Sequence, residues 1–386
     1  MKIKKENMEN PFLYGMATFG KWFTGREEDI RHLSANFVHG INTILISPRR
    51  WGKTSLVLKI AKKIRNKKLV VVNMDIFYCR SREDFYRVFA KEIIRQTSNK
   101  LEEWSENAIK FLSSLNPTVS FGNDPMNDFS FSINVSNKNL LNEEVLNLPL
   151  KIAIKKGIRI VICIDEFQQI TEFKDHKTFQ KQLRSVWQLQ AQYVSYCLYG
   201  SKKHLMHSLF SKQSMPFYKF GDIYFLQKIP MDIWVPFIQQ RFEETGKFIS
   251  SELAKKICET VDCHSSYVQQ LSWLVWVKTE KIATETDFND AFTNLINQNS
   301  MLYHSYIEGL TSFQINFLQA ISDGIHDQFS RKETLSKYDL STSANISRVK
   351  KSLEHKELID ISPKKITFND PVFLIWFKKT VPNVIR

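Results

Sequence analysis

Glycine and proline are scarce, at 12 and 11 residues in a chain of 386. So few chain breakers exclude collagen-like sequence and long Pro/Gly-rich disordered tracts. Cysteine is scarcer: only Cys79, Cys163, Cys197, Cys258 and Cys263 occur. The number is odd and no Cys-x-x-Cys pair exists. A disulfide framework or cysteine zinc site is therefore not expected, and the usage fits a reducing cytoplasm. No apolar run approaches the roughly 20 residues of a membrane span. The opening Met1-Lys2-Ile3-Lys4-Lys5 is basic, but no apolar segment follows it, so no secretory signal is expected. There are no internal repeats and no low-complexity tracts. Together these absences predict a cytoplasmic protein without membrane contact.

Aromatic residues are abundant, with 29 Phe, 12 Tyr and 8 Trp, enough for a large core without staples. The length suggests about two or three domains. Lysine and arginine number 54 against 40 acids, a net charge of +14. That balance permits binding to nucleic acid or another polyanion, and equally fits a Lys-rich solvated surface.

Gly25-Arg26-Glu27-Glu28-Asp29 opens a helical pattern with Ile30, Leu33 and Phe37 on one face. Residues 41–46 read as a buried strand, 47–53 as a loop, 54–65 as a helix and 69–75 as a second apolar strand. This βαβ order predicts a parallel sheet. Residues 83–115 read as helical. Alternating apolar residues around Gly122-Asn123-Asp124-Pro125 then predict a β-hairpin insertion at about 116–137. Further strands are expected at 159–164, 193–199 and 223–226. The expected domains are a nucleotide-binding domain over 1–228, a helical lid over 229–305 and a winged helix over 306–386.

Ser47-Pro48-Arg49-Arg50-Trp51-Gly52-Lys53-Thr54-Ser55 lies between a strand and a helix, the context a phosphate-binding loop requires. Backbone N–H groups there would cradle phosphates. Lys53 would reach the β- and γ-phosphates, and Thr54 would place its hydroxyl on Mg²⁺. The usual spacing begins with glycine; here Ser47 stands in its place. Val161-Ile162-Cys163-Ile164 runs into Asp165-Glu166. Asp165 would hold Mg²⁺, and Glu166 would orient and deprotonate the attacking water. Ser201, after the next strand, suits either a γ-phosphate contact or the N-cap of the following helix.

Phe23-Thr24-Gly25-Arg26-Glu27, Pro48 to Leu56, Ile164-Asp165-Glu166-Phe167-Gln168 and Tyr199-Gly200-Ser201 together resemble the archaeal-type ATPase family, in the AAA+ and STAND branch of P-loop ATPases. The similarity covers roughly residues 11–280, and a C-terminal winged helix is usual in that family. The resemblance implies a five-stranded parallel α/β sheet, a helical lid, ATP or ADP with Mg²⁺ as ligands, and nucleotide-dependent switching. It also places Gly25 and Arg26 near the adenine and ribose. The segment where the family often carries a finger arginine reads Pro216-Phe217-Tyr218-Lys219-Phe220-Gly221, which keeps a positive charge without the guanidinium fork. The lid turn reads Cys263-His264-Ser265-Ser266-Tyr267, without the family's usual proline.

Arg241 suits either a phosphate contact or an ion pair with Glu243 or Glu244. Trp273 and Trp276 suit core positions. In the last domain, Ser341 or Thr342 would cap a helix with Ile346, Val349 and Leu353 inward and Ser343, Asn345, Arg348 and Lys350 outward. With Lys351, and with Lys364 and Lys365 on the wing, this suits DNA phosphate and groove contacts, or packing against a protein partner. Two functional readings follow. One is an ATP-hydrolysing molecular switch. The other is a DNA-binding regulator with ATP or ADP as a structural or slowly sensed ligand.

Overall fold

The computed structural model describes residues 10–98, 118–121, 129–132, 138–362 and 365–381. Contacts divide the chain into two compact units: Arg26–Gln227, and Met1–Gly25 with Lys228–Arg386.

The first unit is built on a parallel sheet. Its elements are α1 (Glu27–His39), β1 (Thr43–Ile46), α2 (Lys53–Ile64), β2 (Leu69–Asp75), α3 (Arg82–Thr97), β3 (Thr118–Phe121), β4 (Phe129–Ser132), α4 (Lys138–Lys156), β5 (Arg159–Asp165), α5 (His176–Gln188), β6 (Val194–Gly200), α6 (Lys203–Ser211) and β7 (Asp222–Phe225). The five-stranded order is β2-β5-β6-β1-β7, with every pairing parallel. Among the described residues, β3 and β4 pair only with each other, antiparallel, as the hairpin pattern predicted. The remainder of that insertion, and the tail of the helix predicted to run to residue 115, lie outside the described residues.

The apolar runs explain the sheet. Ile44, Ile46, Val72, Ile160, Ile162, Ile164 and Leu198 share a core with Phe85, Phe89, Phe179, Trp187 and Met206. The alternate residues Leu45, Val71, Val161, Cys163 and Cys197 are buried as well. Burial on both faces is why these strands read as continuous apolar runs rather than alternating ones. Trp187 stacks on Tyr196 at 4.1 Å between centroids, locking α5 onto β6.

The second unit contains α7 (Met231–Glu243), α8 (Ser251–Thr260), α9 (Ser265–Lys278), α10 (Glu285–Glu308), α11 (Ser312–Ser322), α12 (Lys332–Lys337), α13 (Ser343–His355), β8 (Ile359–Ile361), β9 (Ile366–Phe368) and α14 (Pro371–Thr380). Helix–helix–helix followed by an antiparallel strand pair is a winged helix, here with one further helix. A single apolar cluster runs from Phe12 and Trp234 through Leu271 and Tyr303 to Leu353 and Trp376, so helical bundle and winged helix share one core. The expected edge at 305 falls inside α10. Residues 10–25, expected with the sheet, are instead part of this unit: Phe12 packs edge-on against Phe237 and Phe242, and Gln269 bonds Leu13 N–H and the Trp22 carbonyl. Asp370 joins the bundle to the wing. Its Oδ1 caps α14 through Val372 and Phe373, while its Oδ2 accepts from the hydroxyls of Tyr267 at 2.6 Å and Tyr303 at 3.2 Å.

Candidate active site

Parallel pairing aligns the carboxyl ends of the strands. Ile46 lies level with Gly200, and Asp75 with Asp165, so the turns after β1, β5 and β6 open on one edge. Such an edge is where α/β sheets bind ligands.

The turn after β1 is wound by two left-handed residues, Arg50 (φ 62°) and Gly52 (φ 93°), and α2 begins immediately after them. A helix start aims its first N–H groups at the loop, and successive turns of this kind form an anion cradle. Ser47, in the position expected to need glycine, is not among the residues with positive φ, so its side chain fits without strain. Lys53 is buried, and its ammonium donates to the carbonyls of Ser47 at 2.9 Å and Pro48 at 3.0 Å. The side chains of Arg49 and Arg50 are exposed, while Trp51 and Thr54 are half-buried and Ser55 is buried.

The Thr54 hydroxyl donates to Asp165 Oδ2 at 2.7 Å. Burial pushes the Asp165 carboxyl up to about 6; the bond from Thr54 and the charge of Lys53 oppose that rise, while Glu166 adds to it. Glu166 occupies a left-handed position (φ 53°) at the head of a short 3₁₀ turn, with its N–H on Asp165 Oδ1 at 2.8 Å. Its Oε2 accepts from Ser201 Oγ at 3.1 Å and from Gln168 Nε2. Ser201 does not cap α6. That position belongs to Lys202, which makes no side-chain cap bond.

Gln168, visible in the sequence only as the end of the Asp165-Glu166 motif, is a site residue whose contact with Glu166 its position did not signal. It is buried, and it packs where a side chain on residue 200 would stand: a Cβ at Gly200 would lie 1.7 Å from Gln168 Oε1. The glycine that ends β6 thus leaves room for the amide that holds Glu166.

Arg26 also reaches the loop, though not as a free binding group. It is buried at φ 79°, and its guanidinium donates to the Trp51 carbonyl at 2.9 Å, the Gln227 carbonyl at 2.5 Å and Asp29. Burial lowers its pKa, against the pull of Asp29. Gly25 belongs to the second unit, against Ile229 and Ile233. Lys219 is exposed beside the Tyr218 ring. Arg241 is buried in α7 and paired with Glu244. In the winged helix, Thr342 caps α13, and Ile346, Val349 and Leu353 face inward as predicted. Arg348, Lys351 and Lys365 are exposed, whereas Lys350 folds over the Phe329 ring at 5.0 Å. Lys364 lies outside the described residues.

Residues 23–271 match the model of an ATPase domain family found predominantly in Archaea. The chain belongs to this archaeal ATPase family. Residues 301–379 of the ATPase match a second family, described as a probable winged helix domain. Among solved structures, it is similar to a Walker-type ATPase of Pyrococcus abyssi (16% identity, 94% of this chain, 98% of that chain, TM-score 0.67). It is also similar to the ORC2 protein of Aeropyrum pernix in its ADPNP–ADP complexes (11% identity, 99% and 98%, TM-score 0.58). At these identities the likeness is one of fold. No curated protein sequence matches the chain. The chain thus carries a P-loop ATPase domain with a C-terminal winged helix, as its motifs predicted. Among the described residues, no helix is long and apolar enough to cross a membrane.

Proposed function

We propose that this ATPase binds ATP with Mg²⁺ and hydrolyses it, using the change of nucleotide as a switch. The observation that carries the reading is the Thr54–Asp165 bond, with Glu166 held beside it by Ser201 and Gln168. The loop amides and Lys53 would hold the phosphates, and Arg26 fixes the loop's shape through Trp51. The donor set fits Mg²⁺: it is all oxygen, and Asp165 is a half-buried carboxylate whose ionised form lacks full compensation. Among the described residues no group of three or more His, Cys, Asp or Glu forms a cation site. None is needed where one carboxylate, a hydroxyl and the phosphates share a hard cation. Bound there, Mg²⁺ would neutralise charge developing on the phosphate oxygens. Glu166 would orient a water and take its proton, held in place by the Ser201 hydroxyl and the Gln168 amide.

Single-turnover hydrolysis with the Glu166→Gln and Lys53→Ala proteins tests this. Glu166→Gln should bind ATP normally and lose nearly all turnover. Lys53→Ala should bind about 30-fold or more weakly, the loss of a charge-assisted contact of about 2–4 kcal/mol. Wild-type turnover in Glu166→Gln would remove Glu166 from the role of base.

The winged helix supports a DNA partner for the switch. α13 is capped at Thr342 and presents Arg348 and Lys351 to solvent, with Lys365 on the wing. This is the arrangement in which a recognition helix meets phosphates and groove edges.

A further inference from the structure

The outer face of α5 carries charge of one sign. Lys177, Lys181, Arg184 and Gln188 recur at intervals of four, three and four, which places them along one side of the helix. Lys177, Lys181 and Gln188 are exposed, and the helix contains no Asp or Glu. Asp175, just before it, is committed to Arg82 at 2.5 Å. Alongside runs the segment that leads into β7. Its residues Ser214, Met215 and Pro216 close an open cleft of about 360 Å³ with Lys181, Arg184, Ser185 and Gln188. The Arg184 guanidinium lies 5.0 Å over the Phe220 ring, which holds it at the cleft.

Chemistry selects the occupant. The cleft offers two cations, two hydroxyls and an amide, and no carboxylate. Lysine is depleted at protein–protein interfaces, which instead centre on aromatic or arginine anchors in desolvated pockets. Here the aromatic ring beneath Arg184 is buried, and Lys181 stands in solvent. Phosphodiester backbones, by contrast, are held by this mixture of Lys, Arg, Ser and Gln. At 1.5 Å per residue, Lys177 to Arg184 spans about 10 Å, the axial length of about three phosphates on one strand.

We propose that this face of α5 is a nucleic-acid backbone site on the ATPase domain, separate from the winged helix. It does not rest on the winged helix binding DNA. Fluorescence anisotropy of the full-length protein with a labelled duplex and a labelled single strand of equal length tests it, titrated at several salt concentrations. The Lys181→Gln/Arg184→Gln protein should bind one or both probes about tenfold or more weakly at low salt. The log–log salt dependence should flatten by about 1.8 for the duplex, at about 0.9 per lost phosphate contact, and by about 1.4 for the single strand, at about 0.7 per contact. The probe that loses more identifies the form of strand recognised. Arg184→Lys, which keeps the charge, should restore most of the binding lost by Arg184→Gln. Unchanged affinity and slope for both probes would overturn the proposal. So would a double variant that loses binding to labelled polyglutamate while keeping both nucleic acids, which would assign the face to an acidic protein. ATP affinity of the variant should stay at the wild-type value, showing that the domain has folded.

Discussion

Replacing Asp165 by Asn should make the sheet unit more stable while damaging its site. Burial raises the Asp165 carboxyl from 3.8 to about 6. A carboxyl with a raised folded pKa favours its neutral form. Its penalty is absent below about 3.8, grows as pH rises and is complete above about 6. Each tenfold change in proton affinity is about 1.4 kcal/mol, so ionised Asp165 costs the fold about 3 kcal/mol at neutral pH. Asparagine keeps the shape and carries no charge. Its Oδ1 can still accept the Glu166 N–H, and the Thr54 hydroxyl can turn to accept from the amide. Asp165→Asn should therefore stabilise the protein by about 2–3 kcal/mol at pH 8 and by about 0.6 kcal/mol at pH 4. In a unit of this size, that raises the midpoint by roughly 5–10 °C at pH 8. Thermal unfolding followed by circular dichroism across this pH range measures it. The same variant should lose Mg²⁺-dependent nucleotide affinity. A variant less stable than wild type at pH 8, or a gap that does not change with pH, would refute the reasoning.

Gly200→Ala forces the Gln168 amide away from Glu166, at about 1–3 kcal/mol of overpacking, and should cut turnover about tenfold or more while ATP binding persists. Adding Gln168→Ala should recover the stability but not the rate, as urea unfolding and steady-state turnover would show. Asp370→Ala removes the cap of α14 and the acceptor shared by Tyr267 and Tyr303; it should cost about 2–4 kcal/mol in urea unfolding of the helical unit. Asp370→Asn, which retains an acceptor, should cost less. Arg348→Ala/Lys351→Ala should weaken duplex DNA binding across all sequences and flatten its salt slope by about 1.8, measured by anisotropy. Absence of duplex binding by the wild-type protein at low salt would leave α13 as a packing element.

The phosphate loop and the carboxylates were legible in the sequence because each is a short contiguous run whose flanks declare its setting. An apolar strand, a loop and Gly-Lys-Thr can be read without knowing the neighbours, and so can four apolar residues ending in Asp165-Glu166. The five strands, the helices that follow them and the winged helix were legible for the same reason, since periodicity is a local property. Contacts between distant residues were not. Arg26 meets the Gln227 carbonyl across 201 positions, and Ser201 meets Glu166 across 35. Nothing in either local pattern shows that Ser201 serves the acid rather than capping α6. Gln168 was visible as a motif residue, but its hold on Glu166 depends on the room left by Gly200 on the next strand. Lys350 reads as one more outward cation, yet its partner, the Phe329 ring, comes from another part of the winged helix. Local sequence sets element type through backbone propensity and burial period. Which side chain faces which is set by strand order and register, which arise only when distant segments bury their apolar faces together.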